Sequence, residues 1–338
     1  MVSISCIMPI YNVEQYLKES LESVLCQSFQ DYEIICINDG STDNSLNVLK
    51  KYAEQDSRIK ILNQDNKGQG AARNLGINNA IGEIIIFLDP DDILEENAFD
   101  TIYKSFQKTK ANIIQFDYKE FYDYSNKIKN RSLKQSVKKV YKFNLKSIQE
   151  YVLQEFSLLR FIRMCCWDKA YKRDFIEKND IRFALSKHAE DHIFVQKALF
   201  FAKKIFYINK YLYKYRIRAN SAVNKVSEEN FCIFDNLELT KQFLIENHLY
   251  PQKQQEYYDY ALNLMYWHYN NIPENKKSEY VNKVQNTLSK SDYEKFNLLI
   301  QDKLRFSEKV FSIRNKKIMG KKEKYITILG LSFKLKSK

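Results

Sequence analysis

The sequence predicts an α/β fold: a mixed, mainly parallel sheet flanked by helices, followed by a helical C-terminal extension. Three observations predict it. Short apolar runs alternate with segments of helical period over roughly the first 120 of 338 residues. The runs are continuously apolar, as strands covered on both faces are. Polar, acidic or glycine-containing segments follow the ends of these runs, where open α/β sheets bind their ligands.

The elements follow in order. Residues 3–9 read as a first strand, after which Val13, Leu17, Leu21 and Val24 recur at helical spacing. Residues 33–38 read as a second strand, ended by Asp39-Gly40-Ser41, with a helix through Leu46 and Leu49. Residues 58–62 form a third strand, residues 66–70 a polar loop, and residues 71–80 a helix that Gly82 ends. Residues 83–88 are the fourth strand. Residues 118–141 are aromatic and basic and read as an excursion from the core. Residues 167–183 and 187–202 look ordered, the second as a helix with Ile193, Lys197 and Phe200 on one face; residues 207–215 read as a strand. From 228 to 309 the pattern is helical, with Pro251 and Pro273 separating helices. Residues 325–336 alternate around Gly330 as a hairpin or amphipathic strand.

Charge divides the chain. Residues 1–100 carry a net charge of −10, residues 101–300 carry +13 and residues 301–338 carry +9. An acidic crevice that must hold an anionic ligand needs cations to bridge it. The basic tail combines Lys316, Lys317, Lys321, Lys322 and Lys324 with Ile318, Tyr325, Ile326 and Ile328. Such a mixture suits an anionic membrane surface, with a solvated end as the plain alternative. Nucleic acid would want a recognised binding module, and none is visible. No apolar run approaches the length of a membrane span, so membrane contact is expected to be peripheral. Met1 leads into a strand pattern rather than a leader, and the six cysteines show no paired spacing. Both point to a reducing, cytoplasmic location.

Asp89-Pro90-Asp91-Asp92 carries the most chemical information. It ends the run Ile84-Ile85-Ile86-Phe87-Leu88. Three carboxylates at the mouth of a buried strand hold together best around a positive object, the simplest being a divalent cation carrying a diphosphate. A turn leading into a helix cap explains the same residues.

Four segments in order settle the comparison. Ile7-Met8-Pro9-Ile10-Tyr11-Asn12, then Ile37-Asn38-Asp39-Gly40-Ser41-Thr42-Asp43, then Asn66 and Gly68 with Ala71-Ala72-Arg73-Asn74, then Phe87-Leu88-Asp89-Pro90-Asp91-Asp92 resemble the family 2 glycosyltransferases of the GT-A (Rossmann-like) fold. The likeness covers residues 1 to about 110. It continues more loosely through Trp167-Asp168-Lys169-Ala170-Tyr171, Glu190-Asp191-His192-Ile193-Phe194 and Tyr213-Lys214-Tyr215-Arg216.

The resemblance implies roles for particular residues. Pro9, Tyr11 and Asn12 would wall the nucleoside, Tyr11 being equally a core aromatic by its type alone. Asp39 would accept from a uracil N–H, or simply close a turn before Gly40. Gly68 permits close backbone approach, and Arg73 would meet phosphate or the acidic cluster, or form a surface ion pair. Asp91, with Asp89, would hold Mn²⁺ or Mg²⁺ through hard oxygen ligands. Asp89 also faces ribose and sugar, while Asp92 orients the sugar or caps the next helix. Asp191 would be the catalytic base and Glu190 its neighbour positioning acceptor or base, the alternative being an acid-enriched helix start. Trp167 is a sugar platform near the acceptor or a core aromatic. His188 and His192 flank the base and read as structural.

The expected organisation is a nucleotide-sugar-binding catalytic domain over 1–222, a helical region over 223–315 and a basic amphipathic tail over 316–338. The expected activity is metal-dependent, inverting transfer of a sugar from a nucleotide diphosphate, UDP-linked by the Asp39 assignment, to a hydroxyl of a bacterial surface glycan. The alternatives are transfer to a polyprenyl phosphate, or nucleotide-sugar binding without turnover. The donor sugar, the acceptor, the linkage and the oligomeric state are not legible.

Overall fold

The protein is described here by a computed structural model covering residues 2–132, 150–151, 163–185, 190–218, 231–301, 311–318, 321–328 and 331–334. The N-terminal elements come in the expected order: β1 (Ile4–Ile10), α1 (Glu14–Leu25), β2 (Tyr32–Asp39), α2 (Ser45–Gln55), β3 (Ile59–Gln64), α3 (Gln69–Asn79) and β4 (Ile84–Phe87). The strands pair in parallel, with Ile4 beside Tyr32 and Ile84, and Ile34 beside Ile59. Every residue of β1, β2 and β4 is buried, which explains their unbroken apolar runs. Pro9 is tolerated in a central strand because the β1–β4 pairing has already ended at Ile7 and Phe87.

The sheet continues through β5 (Ile93–Leu94), β6 (Ile113–Tyr122), β7 (Ser125–Arg131), β8 (Glu150–Tyr151), β9 (Lys169–Lys172) and β10 (Ile205–Ile217), with α4 (Ala98–Thr109), α5 (Arg173–Lys178) and α6 (Glu190–Phe201) between them. Its order is β3-β2-β1-β4-β9-β6-β10-β5, with β7 on β6 and β8 on β10. β9 runs antiparallel between β4 and β6, whereas β10 is parallel to β6. The sheet is therefore mixed and mainly parallel, as expected.

Two expectations need correction. Residues 118–131 are not an excursion: Tyr118 is buried in β6, and β6 and β7 form a hairpin of the main sheet. Aromatic and β-branched residues build strands as readily as surface loops; residues 133–141 lie outside the described ones. The helix expected over 187–202 is described from Glu190, and its buried residues include Ile193, Phe194, Val195, Ala198 and Leu199 rather than one face with Lys197 and Phe200. It is covered on more than one side, so its apolar residues do not keep to a single stripe.

The helical region consists of α7 (Cys232–Glu246), α8 (Tyr250–Tyr269), α9 (Lys277–Thr287) and α10 (Lys290–Ile300). Pro251 sits in the first turn of α8, where its missing N–H costs nothing, and Pro273 precedes a 3₁₀ turn. One core cluster joins Ile7, Ile35 and Phe87 of the sheet to Phe194 of α6 and on to Leu237, Tyr260 and Tyr280. A second fills the opposite face with Met8, Leu17, Phe99, Trp167 and Tyr213. The helical region thus shares a continuous core with the face of the sheet that carries α6.

The tail forms β11 (Phe311–Ile318), β12 (Lys321–Ile328) and β13 (Leu331–Lys334), an antiparallel sheet of its own. β12 and β13 pair antiparallel, in keeping with the hairpin reading of residues 325–336.

Candidate active site

The segments past the strand ends are tied to one another. Asn12, in left-handed backbone geometry after β1, accepts from the Thr42 N–H at 2.8 Å and so links the ends of β1 and β2. Tyr11 beside it is 47 % exposed, which removes the core reading and leaves its ring open. Asp39 closes β2. Its Oδ1 accepts from Gln64 Nε2 at 2.7 Å and Lys67 N–H at 2.9 Å, and its Oδ2 from Gly68 N–H at 2.9 Å. The carboxylate therefore shapes the loop after β3, and its three donors leave one acceptor position on it. Gly68 is the residue that lets the loop comply: its φ is +89°, a region L side chains rarely adopt.

That loop opens α3, which delivers Arg73. Arg73 is 2 % exposed, not a surface residue. Its Nη2 lies 2.7 Å from Asp89 Oδ1 and its Nη1 2.8 Å from Glu190 Oε1. The guanidinium joins the first acidic segment to the second, 117 positions away from Arg73 in sequence. Burial disfavours the charged guanidinium, but the surrounding acidic groups win and hold it firmly protonated. Its Nε is buried without a partner among the described residues. Two contacts make the geometry possible, one at Gly70, where the sequence allows close approach, and one at Asn74, which sequence reading missed. Gly70 packs so close to Ala184 and Glu190 that an added Cβ would fall 2.2 Å from the Ala184 carbonyl. Asn74 bonds Phe183 in both directions, at 2.9 and 3.0 Å, holding the chain that leads to Glu190.

The acidic segment occupies the turn between β4 and β5, and β10 closes it from the other side. The Tyr213 hydroxyl donates to Asp92 Oδ2 at 2.7 Å and accepts from Asp89 N–H at 3.2 Å. Arg216 N–H donates to Asp92 Oδ1 at 2.7 Å, and Arg216 Nε to the Asp91 carbonyl at 2.6 Å. Asp92 is fully buried with both oxygens engaged. The resemblance implied a sugar contact or a helix cap for it; it serves neither, because α4 starts after Asn97 and no face of Asp92 is open. Burial, then the charges of Asp91 and Asp89, push its carboxyl well above the usual range.

Asp91 is pushed up as well, by burial first and then by Asp89. Its Oδ2 meets Arg218 Nη2 at 2.7 Å. Arg216, by contrast, is spent on the fold, bonded to Asp123 and Glu19 besides the acidic turn. A divalent cation fits this donor set in part. Hard oxygens and surplus negative charge are present at Asp89 and Asp91, yet among the described residues no three His, Cys, Asp or Glu side chains gather into a metal cage. A cation there would complete its shell from water and from a ligand's own oxygens.

The second acidic segment opens α6. Asp191 is pushed up to about 8, by burial first and then by Glu190, with Arg73 opposing. His192 is pushed down to about 4 by burial, and its Nδ1 lies 2.8 Å from the Tyr260 hydroxyl, with which it shares a hydrogen bond. His188 lies outside the described residues. Trp167 is 8 % exposed and lies flat on Tyr213 and Tyr215, with ring centroids 4.7 and 5.2 Å away. It is a core aromatic behind the acidic turn rather than an open sugar platform. Lys169, fully buried, bonds the carbonyls of Arg163 and Cys165 and the Asp168 carboxylate, fixing the strand beside it.

The family profile described as glycosyl transferase family 2 matches residues 5–178. The chain belongs to this family. Glycosyltransferase GlyA of Streptococcus pneumoniae is 37 % identical over 219 residues, 64 % of this chain and 31 % of that protein. The putative glycosyltransferase EpsH of Bacillus subtilis is 32 % identical over 233 residues, 68 % of this chain and 65 % of that protein. The chain thus spans under a third of the first relative and just under two thirds of the second. Among solved structures, residues 1–349 of S. aureus TarS, crystallised with UDP-GlcNAc, match with a TM-score of 0.66 over 99 % of both chains at 18 % identity. At that identity the likeness is one of fold, and it confirms the GT-A architecture, helical region included.

Proposed function

We propose that this family 2 glycosyltransferase moves a sugar, with inversion and dependence on a divalent cation, from a nucleotide diphosphate donor to a hydroxyl of a growing bacterial surface glycan. The observation that carries the reading is Arg73, which draws Asp89 and Glu190 onto one guanidinium and so brings the donor-side carboxylates next to Asp191. The donor is read as UDP-linked; Asp39, with three donors already on its oxygens, keeps one acceptor position for a ring N–H. The fold shared with TarS, itself crystallised with UDP-GlcNAc, supports the same choice.

Asp191 takes the proton of the acceptor hydroxyl as that oxygen attacks the anomeric carbon from the face opposite the diphosphate. The bond between that carbon and the phosphate oxygen breaks, and the nucleoside diphosphate leaves with the electron pair. Arg73 holds Asp89 and Glu190 in place and adds positive charge near the leaving group. Tyr11 offers its exposed ring to the base. A bound Mn²⁺ or Mg²⁺, held by Asp91 and Asp89, would neutralise charge on the diphosphate.

The tail is read as the means of reaching an anionic membrane at its cytoplasmic face. No described helix is long and apolar enough to cross one. The strand register sets Ile313 opposite Ile326 and Ile326 opposite Phe333, with Lys317 opposite Lys322, a mixture suited to such a surface.

A panel of nucleotide sugars scored for nucleotide release, with and without Mn²⁺, tests the activity. Transfer from a UDP-sugar that stops on chelation is expected. Transfer unaffected by chelation would remove the metal role of Asp91, and Asp191→Asn with full turnover would remove the base assignment.

A further inference from the structure

We propose that Tyr260 of the helical region is a positioning residue for the catalytic base, so that the active site depends on a helix outside the stretch that defines the family. This rests on the assignment of Asp191 as base. The family profile ends at residue 178, before Asp191 itself, and Tyr260 lies on α8, 43 residues after β10 ends the sheet.

The geometry is local and specific. Asp191 and His192 are adjacent in the first turn of α6. His192 Nδ1 lies 2.8 Å from the Tyr260 hydroxyl, with Tyr260 buried and His192 partly so; burial pushes the imidazole down to about 4 and the phenol up. Whichever of the two donates, the bond pairs one ring nitrogen with one hydroxyl and so fixes the orientation of the ring. One turn further along α6, Gln196 Oε1 accepts from Thr240 of α7 at 2.5 Å. α6 is thus tied to the helical region at two heights, the upper one beside the base.

The direction of a helix's first turn is set by what holds it. Glu190 is held from the sheet side by Arg73. His192 is held from the opposite side by Tyr260. Asp191, between them in sequence, inherits its aim from both. A base displaced by a fraction of an ångström loses its line to the acceptor hydroxyl without losing its carboxylate.

Tyr260→Phe removes only the hydroxyl. The expected result is a fall in kcat of about tenfold, the value of one well-placed hydrogen bond, with donor KM nearly unchanged and the melting temperature lowered about as much as in the control that follows. Tyr257→Phe is the control: its hydroxyl bonds the Leu237 carbonyl within the helical region, so melting should shift and kcat should hold. In an Asp191→Ala background the Tyr260→Phe effect on residual turnover should vanish, because Tyr260 acts through the base. An unchanged kcat in Tyr260→Phe overturns the proposal while leaving the base assignment standing. An additive effect in the double variant overturns it too. Full activity of Asp191→Ala alone would instead strike the base assignment.

Discussion

Arg73 and Glu190 lie 117 positions apart in sequence and 2.8 Å apart in space. The pair is buried, and the same guanidinium also holds Asp89. Removing the cation leaves two carboxylates facing each other in a low-dielectric pocket. Arg73→Met is therefore expected to cost about 3–5 kcal/mol of stability and to abolish transfer. Arg73→Lys keeps the charge but cannot span both partners, so it should retain folding better than activity. Chemical denaturation and turnover on the same preparations check both.

Asp191 links activity and stability through pH. Its carboxyl titrates near 8 in the folded chain, against an ordinary value of 3.8. A raised pKa means that folding favours the protonated form. The unfolded chain loses this proton first as pH rises, so stability contributed by the neutral form is complete below about pH 4 and falls until about pH 8. Asp191→Asn removes that penalty. The melting temperature of the variant minus that of the parent should thus widen from pH 4 to 8 and then level. Turnover of the parent should rise over the upper part of the same range, as the base ionises.

The order of the strands and the acidic turn was legible because both obey local rules. Buried parallel strands are apolar without interruption, and three acids after such a strand need an explanation. Asp191 was legible as an acid at a helix start, though only the family likeness gave it a role. Trp167 and Asp92 were left open between two readings for one reason. Their types fit both a site and a core, and only the strand order, with β10 beside β6 and β5 beside β10, shows that they face inward. Tyr213 was unreadable as the clasp of the acidic turn because it lies 121 positions from Asp92. Gly70 was legible as a place of close backbone approach, but not the residues it approaches, 184 and 190, more than a hundred positions away.

The clasp itself is testable. The Tyr213 hydroxyl satisfies one oxygen of Asp92 and the N–H of Asp89. Tyr213→Phe leaves both buried groups short of a partner, at a cost of about 1–3 kcal/mol. Because Asp89 and Asp91 are set by the same turn, nucleotide-sugar affinity should fall as well. Calorimetric titration with UDP in the presence of Mn²⁺ should show weaker binding even where the variant is fully folded. Equal affinity in the folded variant would show that the turn holds its shape without Tyr213.

Asp39 gives the last prediction. Three donors converge on its two oxygens, two of them backbone N–H groups of the loop that leads into α3. Asn at this position keeps the size but offers one acceptor oxygen and places an NH₂ against at least one N–H donor. The loop must then move, and with it the start of the helix that carries Arg73. The expected outcome is a loss in UDP affinity of at least about tenfold, from one or more broken hydrogen bonds to a charged acceptor. The loss should appear with UDP alone, since it concerns the nucleoside end and not the sugar. Asp39→Asn should also lower turnover more than Gln64→Ala, which removes one side-chain donor and leaves both backbone bonds in place. If the two variants bind UDP equally well, the carboxylate matters only through Gln64, and the loop is held by other contacts.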